Sequence, residues 1–117
     1  MALWWANDPA ELADEAHDAI EDGANEVFLS AASVWEASIK AAAGRLSAPT
    51  PIEAAAADAG IAELPVRWAH ARRAADLPAL HRDPFDRMLV AQALEEGLVL
   101  LTRDPLVRQY PVATAAA

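Results

Sequence analysis

Asp83-Pro84-Phe85-Asp86-Arg87-Met88-Leu89-Val90-Ala91-Gln92-Ala93-Leu94-Glu95-Glu96-Gly97-Leu98-Val99-Leu100-Leu101 carries its own punctuation. Asp83 suits the cap of a helix, Pro84 suits its first position, and the acid at Asp86 faces the positive end of the helix dipole. Gly97 supplies the left-handed residue on which helices stop. The four apolar residues Leu98 to Leu101 then form the clearest buried strand of the chain.

The same alternation repeats upstream. Asp8-Pro9-Ala10-Glu11 opens a helix that runs to about Asp22, and Gly23 ends it. Val27-Phe28-Leu29 is a short buried strand, followed by a helix over Ala31–Ala43 closed by Gly44. Ser47 to Pro51 is a loop. Ile52–Ala59 is a short alanine-rich helix, because alanine density favours helix. Ile61–Leu64 is a further short strand, Val66–Ala75 a helix, and Leu77–Arg82 a loop. Asp104-Pro105 begins a last short helix, and the alanine-rich end beyond Val112 is expected to fray. Helices alternating with apolar strands predict an α/β domain with a parallel sheet.

The 117 residues form one domain, 1–117, large enough for a single core, and 55% of them are hydrophobic. No run of about 18 apolar residues is present, so no membrane span is expected. No basic start with an apolar stretch marks a secretory signal. The absence of cysteine removes disulfides, thiolate catalysis and cysteine-based zinc sites. Together these features fit a cytoplasmic protein. Nine basic residues against 18 acidic leave a net charge of −9, which argues against a general nucleic-acid coat protein. It does not argue against a nuclease, since a carboxylate metal site is acidic by construction. Plain solubility explains the excess equally well.

In an open parallel sheet, ligands gather beyond the carboxyl ends of the strands. Glu36, Asp86 and Asp104 all fall at that edge. Each also has a purely structural reading. Ser33-Val34-Trp35-Glu36 matches a capping box, and Glu36 with Lys40 makes an i,i+4 pair. Asp83 caps its helix, Asp86 complements the dipole, and Asp104 before Pro105 is a fair cap. Only the combination favours a site. Clustered carboxylates repel one another by about 1–4 kcal/mol per pair at about 4 Å unless a cation joins them, and their hard oxygens suit Mg²⁺ or Mn²⁺. His17, His70 and His81 lack metal-ligand spacing and read as ordinary surface or core histidines. Trp4, Trp5, Trp35 and Trp68 could stack on bases, but at helical positions tryptophan is more often core.

Three segments together resemble the PIN domains, particularly the VapC-like toxins of type II toxin–antitoxin pairs. They are the strand-to-helix run Phe28 to Lys40, the motif His81-Arg82-Asp83-Pro84-Phe85-Asp86-Arg87, and Leu100-Leu101-Thr102-Arg103-Asp104-Pro105. Gly44-Arg45-Leu46 and Trp68-Ala69-His70-Ala71 match as well, so the likeness spans nearly the whole chain. The resemblance implies a three-layer α/β fold with a mostly parallel sheet. It implies a Mg²⁺-dependent (or Mn²⁺-dependent) endoribonuclease, usually a homodimer, held inactive by a cognate VapB-like antitoxin. Carried over by motif, Glu36, Asp86 and Asp104 are the catalytic and metal-binding acids. Thr102 and Asp83 support them, and Arg87 and Arg103 are the candidate RNA contacts.

One departure stands out. These toxins open with a central strand ending in Asp-Thr-His, whose Asp is a metal ligand, and a helix beginning Leu-Trp-Trp follows. Here Leu3-Trp4-Trp5 is present with no acid before it, and Asp8 reads as a cap. The expectation is therefore a sheet whose first, central strand is missing, with the natural start lying upstream of Met1 and the chain as it stands weakly active or inactive. The alternatives are an inactive PIN remnant that binds an antitoxin, and an unrelated acidic α/β binding domain.

Overall fold

The computed structural model describes residues 2–4, 26–44, 52–58, 60–78, 83–101, 109–110 and 114–115. In chain order these form β1 (Ala2–Trp4), β2 (Val27–Ser30), α1 (Ala31–Ala42), α2 (Ile52–Asp58), β3 (Ala62–Leu64), α3 (Trp68–Asp76), α4 (Pro84–Glu96), β4 (Val99–Leu101) and β5 (Thr114–Ala115). The expected helices over Asp8–Asp22 and from Asp104 lie outside the described residues.

The strands form one five-stranded sheet in the order β3-β2-β1-β4-β5, and every neighbouring pair is parallel. The centre of that sheet corrects the expectation of a missing strand. Ala2–Trp4 occupies it, with Ala2 opposite Val27 on one side and Val99 on the other. The physical reason lies in the neighbours. β2 and β4 would each leave a row of unpaired N–H and C=O groups, and an apolar tripeptide satisfies both rows at once. Leu3-Trp4, expected to begin a helix, is therefore strand. The far end of the chain is corrected in the same way: Thr114–Ala115 pairs with Leu100–Leu101 instead of fraying.

β2 shows how the sheet divides its core. Val27 and Leu29 point to one face, where they pack with Ile52 and Ala56 of α2, with Ile61, and with Val34 and Ala37 of α1. Phe28 points to the other face, against a cluster of Leu64, Leu89, Val90, Ala93, Leu98, Leu100 and Tyr110. This is the period-2 alternation of a strand covered on both faces. The result is three layers, with α4 on one side of the sheet and α2 on the other. Each fully buried leucine, such as Leu89 or Leu100, contributes about 1.5–3 kcal/mol.

α4 follows its sequence signals closely. Asp83 caps it, its Oδ1 accepting from the N–H of Phe85 at 2.9 Å and of Asp86 at 3.4 Å. Gly97 ends it in the left-handed conformation, φ 67°, and Leu98 N–H donates to Ala93 O at 2.8 Å. The turn into β4 is so tight that α4 runs antiparallel to the strands. Its N-terminus therefore lies at their carboxyl end. α1 leaves that same end of β2. Among the described residues, no helix is long and apolar enough to cross a membrane.

Two tryptophans depart from expectation. Trp35 is 64% exposed and Trp68 93% exposed, so neither is core. Trp68 opens α3 at its first turn, where no other element covers it. Trp35 meets Phe85 edge to face, ring centroids 5.1 Å apart and planes 71° from parallel.

Candidate functional site

β2 runs straight into α1, and the join is made by Ser30. Its side chain accepts from Ala32 N–H at 3.0 Å, so Ser30 is the helix cap. That displaces the capping box expected from Ser33 and Glu36, which instead lie inside the first two turns. Glu36 comes to rest 9% exposed. Burial pushes its carboxyl above the ordinary value of 4.5, Lys40 draws it down, and the negative charge of Asp83 pushes it up again. The Lys40 Nζ to Glu36 Oε2 distance is 3.8 Å, so the expected i,i+4 pair exists in a loose form.

The packing of α1 against α4 locates the site. α1 and α4 pack against each other, Trp35 touches Phe85, and the capped end of α4 lies beside the second turn of α1. Asp86, in the first turn of α4, is 3% exposed. Charged residues are rarely buried this deeply unless they are paired. Two acids from distant parts of the chain, Glu36 and Asp86, are thus both buried on helices that meet at the carboxyl end of the sheet. Asp83 joins them while still serving as cap.

Ser33 lies one turn before Glu36. It is 3% exposed, and its Oγ has no hydrogen-bond partner among the described residues. An orphaned, buried hydroxyl one helical turn from a buried carboxylate fits the chemistry of a hydrated divalent cation. The described residues supply part of such a site. Among them, no group of three or more His, Cys, Asp or Glu side chains is placed to hold a metal ion. Asp104, Thr102 and Arg103, expected at the end of β4, lie outside the described residues, and β1 carries no carboxylate.

Arg87, expected at the RNA, is found clasping the chain itself. Its Nη2 donates to Ala74 O at 2.8 Å and to Leu77 O at 3.1 Å. Its Nη1 donates to Pro78 O at 2.9 Å and to Tyr110 Oη at 3.4 Å. The rigid fork ties the end of α3 to the start of α4, and so holds the acidic end of α4 in place.

Sequence reasoning passed over a buried polar chain that sets the same geometry. Ser30 Oγ–H donates to Gln92 Oε1 at 2.6 Å, and Gln92 Nε2 donates to Pro65 O at 3.3 Å and lies 3.4 Å from His70 Nδ1. Arg67 N–H donates to the same Nδ1 at 3.0 Å, which leaves the ring proton on Nε2, 2.8 Å from Glu96 Oε1. Ser30, Gln92 and His70 are all fully buried. The available signal was Gln92 itself, one amide between Leu89-Val90-Ala91 and Ala93-Leu94. Of the surface or core role expected for the histidines, His70 takes the core one, while His17 and His81 lie outside the described residues.

Among solved structures, the chain is similar to FitAB bound to IR36 DNA fragment, with a TM-score of 0.61 and 19% identity over 99% of this chain and 94% of that chain. At that identity the likeness speaks to the fold. No curated protein matches the chain. The family model of the PIN domain matches residues 1–112, in keeping with the parallel sheet and the acids at its carboxyl edge, and the chain belongs to the PIN domain family.

Proposed function

We propose that this chain is the toxin of a toxin–antitoxin pair, a VapC-like endoribonuclease that hydrolyses RNA phosphodiester bonds with Mg²⁺ or Mn²⁺. The observation that supports it most is the burial of Glu36 and Asp86 on two helices that pack at the carboxyl end of the sheet. In this reading Glu36, Asp86 and Asp104 hold the cation, Thr102 and Asp83 support them, and Arg103 meets the RNA backbone. A bound divalent cation supplies a Lewis acid that activates water and offsets charge on the phosphate. The Glu36 carboxyl, held high by burial and by Asp83, would be drawn down by that positive charge. Arg87 acts at a distance by fixing α4. The cognate partner is a VapB-like antitoxin, and the working assembly is a homodimer in the cytoplasm.

The test is cleavage of single-stranded RNA by the purified chain with Mn²⁺ or Mg²⁺, with a chelator as control. Metal-dependent cleavage that disappears in Asp86→Asn and Glu36→Gln is the expected result. Metal-independent cleavage, or cleavage unchanged in Asp86→Asn, would overturn the assignment.

A second reading is favoured by one specific feature. The central strand Ala2–Trp4 carries no carboxylate, and the first acid in the chain is Asp8. A PIN domain lacking an acid there would bind its antitoxin without cutting RNA. Antitoxin binding with no cleavage at high Mn²⁺ selects this reading over the first.

A further inference from the structure

Ser33 is the one buried side-chain polar atom left unpaired among the described residues. Buried hydroxyls are nearly always hydrogen-bonded, and a helical serine has an acceptor close by in the carbonyl four residues back. Ser38, on the same helix, takes that option and donates to Val34 O at 2.8 Å. Ser33 does not. Nor does it pair with Ser30, whose hydroxyl donates to Gln92 and accepts from Ala32 N–H.

The position of Ser33 gives the orphan a direction. Ser33, Glu36 and Lys40 stand at i, i+3 and i+7, so they share one face of α1. Glu36, one turn on, is buried, and its neighbour Trp35 meets Phe85 in the first turn of α4. The unpaired, buried hydroxyl thus stands on the same face of α1 as the buried Glu36 carboxylate. It offers one donor hydrogen and two acceptor lone pairs to whatever occupies that region. Apolar occupants would leave it orphaned and anions would be repelled by the acids. A hydrated cation satisfies both, with its charge on the carboxylates and a water on the hydroxyl.

We propose that Ser33 is a positioning residue of the acidic site, its hydroxyl holding a water of a divalent cation bound at Glu36 and Asp86. This rests on the reading of those acids as a metal site.

The experiment uses the full chain, with Mn²⁺ alone as probe. Four proteins are compared: the unmodified chain, Ser33→Ala, Ser33→Thr and Asp86→Asn. Unfolding temperature in chelator reports stability without metal, and Mn²⁺ titration reports affinity. Because the hydroxyl has no protein partner, Ser33→Ala should unfold in chelator at the same temperature or up to about 3 °C higher. Its affinity for Mn²⁺ should nevertheless fall about 10-fold or more, the usual scale for groups behind the direct ligands. Ser33→Thr, which keeps the hydroxyl, should recover most of that affinity. A lowered unfolding temperature for Ser33→Ala in chelator would show a structural partner and overturn the proposal. So would unchanged Mn²⁺ affinity in Ser33→Ala while Asp86→Asn loses it, which would leave the metal site standing. No Mn²⁺ response in the unmodified chain would overturn both.

Discussion

Replacing Gln92 by leucine tests whether the buried polar chain holds the two site-bearing helices together. The substitution conserves volume, so little cavity or overpacking is added. It removes the acceptor for Ser30 Oγ–H at 2.6 Å and the donor to Pro65 O at 3.3 Å. His70 Nδ1 keeps its bond from Arg67 N–H, and Pro65 is exposed enough for water to replace the lost amide. The Ser30 hydroxyl, fully buried, has no such recourse. One orphaned donor costs about 1–3 kcal/mol, and the bond to Pro65 adds about 0.5–1 kcal/mol after rehydration. The expected loss is therefore about 2–4 kcal/mol, a large part of a typical margin of about 5–15 kcal/mol. For a domain of this size that is a fall of roughly 8–20 °C in unfolding temperature. Urea unfolding should show a lower midpoint at unchanged slope. The double mutant with Ser30→Ala isolates the coupling. Ser30→Ala loses the cap of α1, worth about 1 kcal/mol, but removes the orphan that Gln92→Leu creates. The two losses should then sum to about 1–2 kcal/mol more than the double mutant shows. Strict additivity, or a loss below about 1 kcal/mol in Gln92→Leu alone, would refute the reasoning.

Three further perturbations follow from particular contacts. In metal-free protein, burial and Asp83 hold the Glu36 carboxyl above its ordinary value of 4.5, so the folded state binds this proton more tightly than the unfolded state. The group therefore weakens stability progressively as pH rises above about 4.5, and Glu36→Gln should remove that decline. Denaturant unfolding in chelator across this range checks it, and a wild type that gains stability over Glu36→Gln with rising pH would contradict it. Arg87→Lys keeps the charge but loses the fork that holds Ala74, Leu77 and Pro78, so the unfolding free energy from urea titration should fall by about 1.5–3 kcal/mol. Gly97→Ala meets no atom within 4 Å, so its cost is conformational, about 1–2 kcal/mol by thermal unfolding, with Gly97→Asn milder.

Most of the fold was legible because its signals are local. Asp83-Pro84 and Gly97 bound α4, and Leu98 to Leu101 announces β4. What escaped is what only tertiary context decides. Three residues at the start of the chain carry too little pattern to read as a strand. Ala2–Trp4 becomes one because β2 and β4 present complementary edges 25 to 97 residues away, as the pairings to Val27 and Val99 show. Thr114–Ala115 repeats the lesson at the edge of the sheet, where the open side of β4 outweighs alanine's preference for helix. Trp35 and Trp68 mislead for another reason. Tryptophan is usually buried, but the face of a helix it occupies is set by which neighbours arrive, and none arrives over Trp68.

The site was legible in its residue types and obscured by equally good structural readings of the same residues. The structure separates these case by case. The capping-box reading of Glu36 fails because Ser30 occupies the cap, and an acid freed of capping and drawn into a buried position calls for another source of stabilisation. Its pair with Lys40, at 3.8 Å, is too loose to supply it, since burial raises the carboxyl by more than Lys40 lowers it. The capping reading of Asp83 holds, yet the same carboxylate raises Glu36, so a cap can also be an electrostatic neighbour of a site. Structural duty and site duty are therefore not competing explanations for an acid at a helix start. The helix N-terminus that needs Asp83 is also what carries Asp86 into a buried position, on a helix packed against the one that buries Glu36, and the Ser33 hydroxyl on that second helix is still without a partner among the described residues.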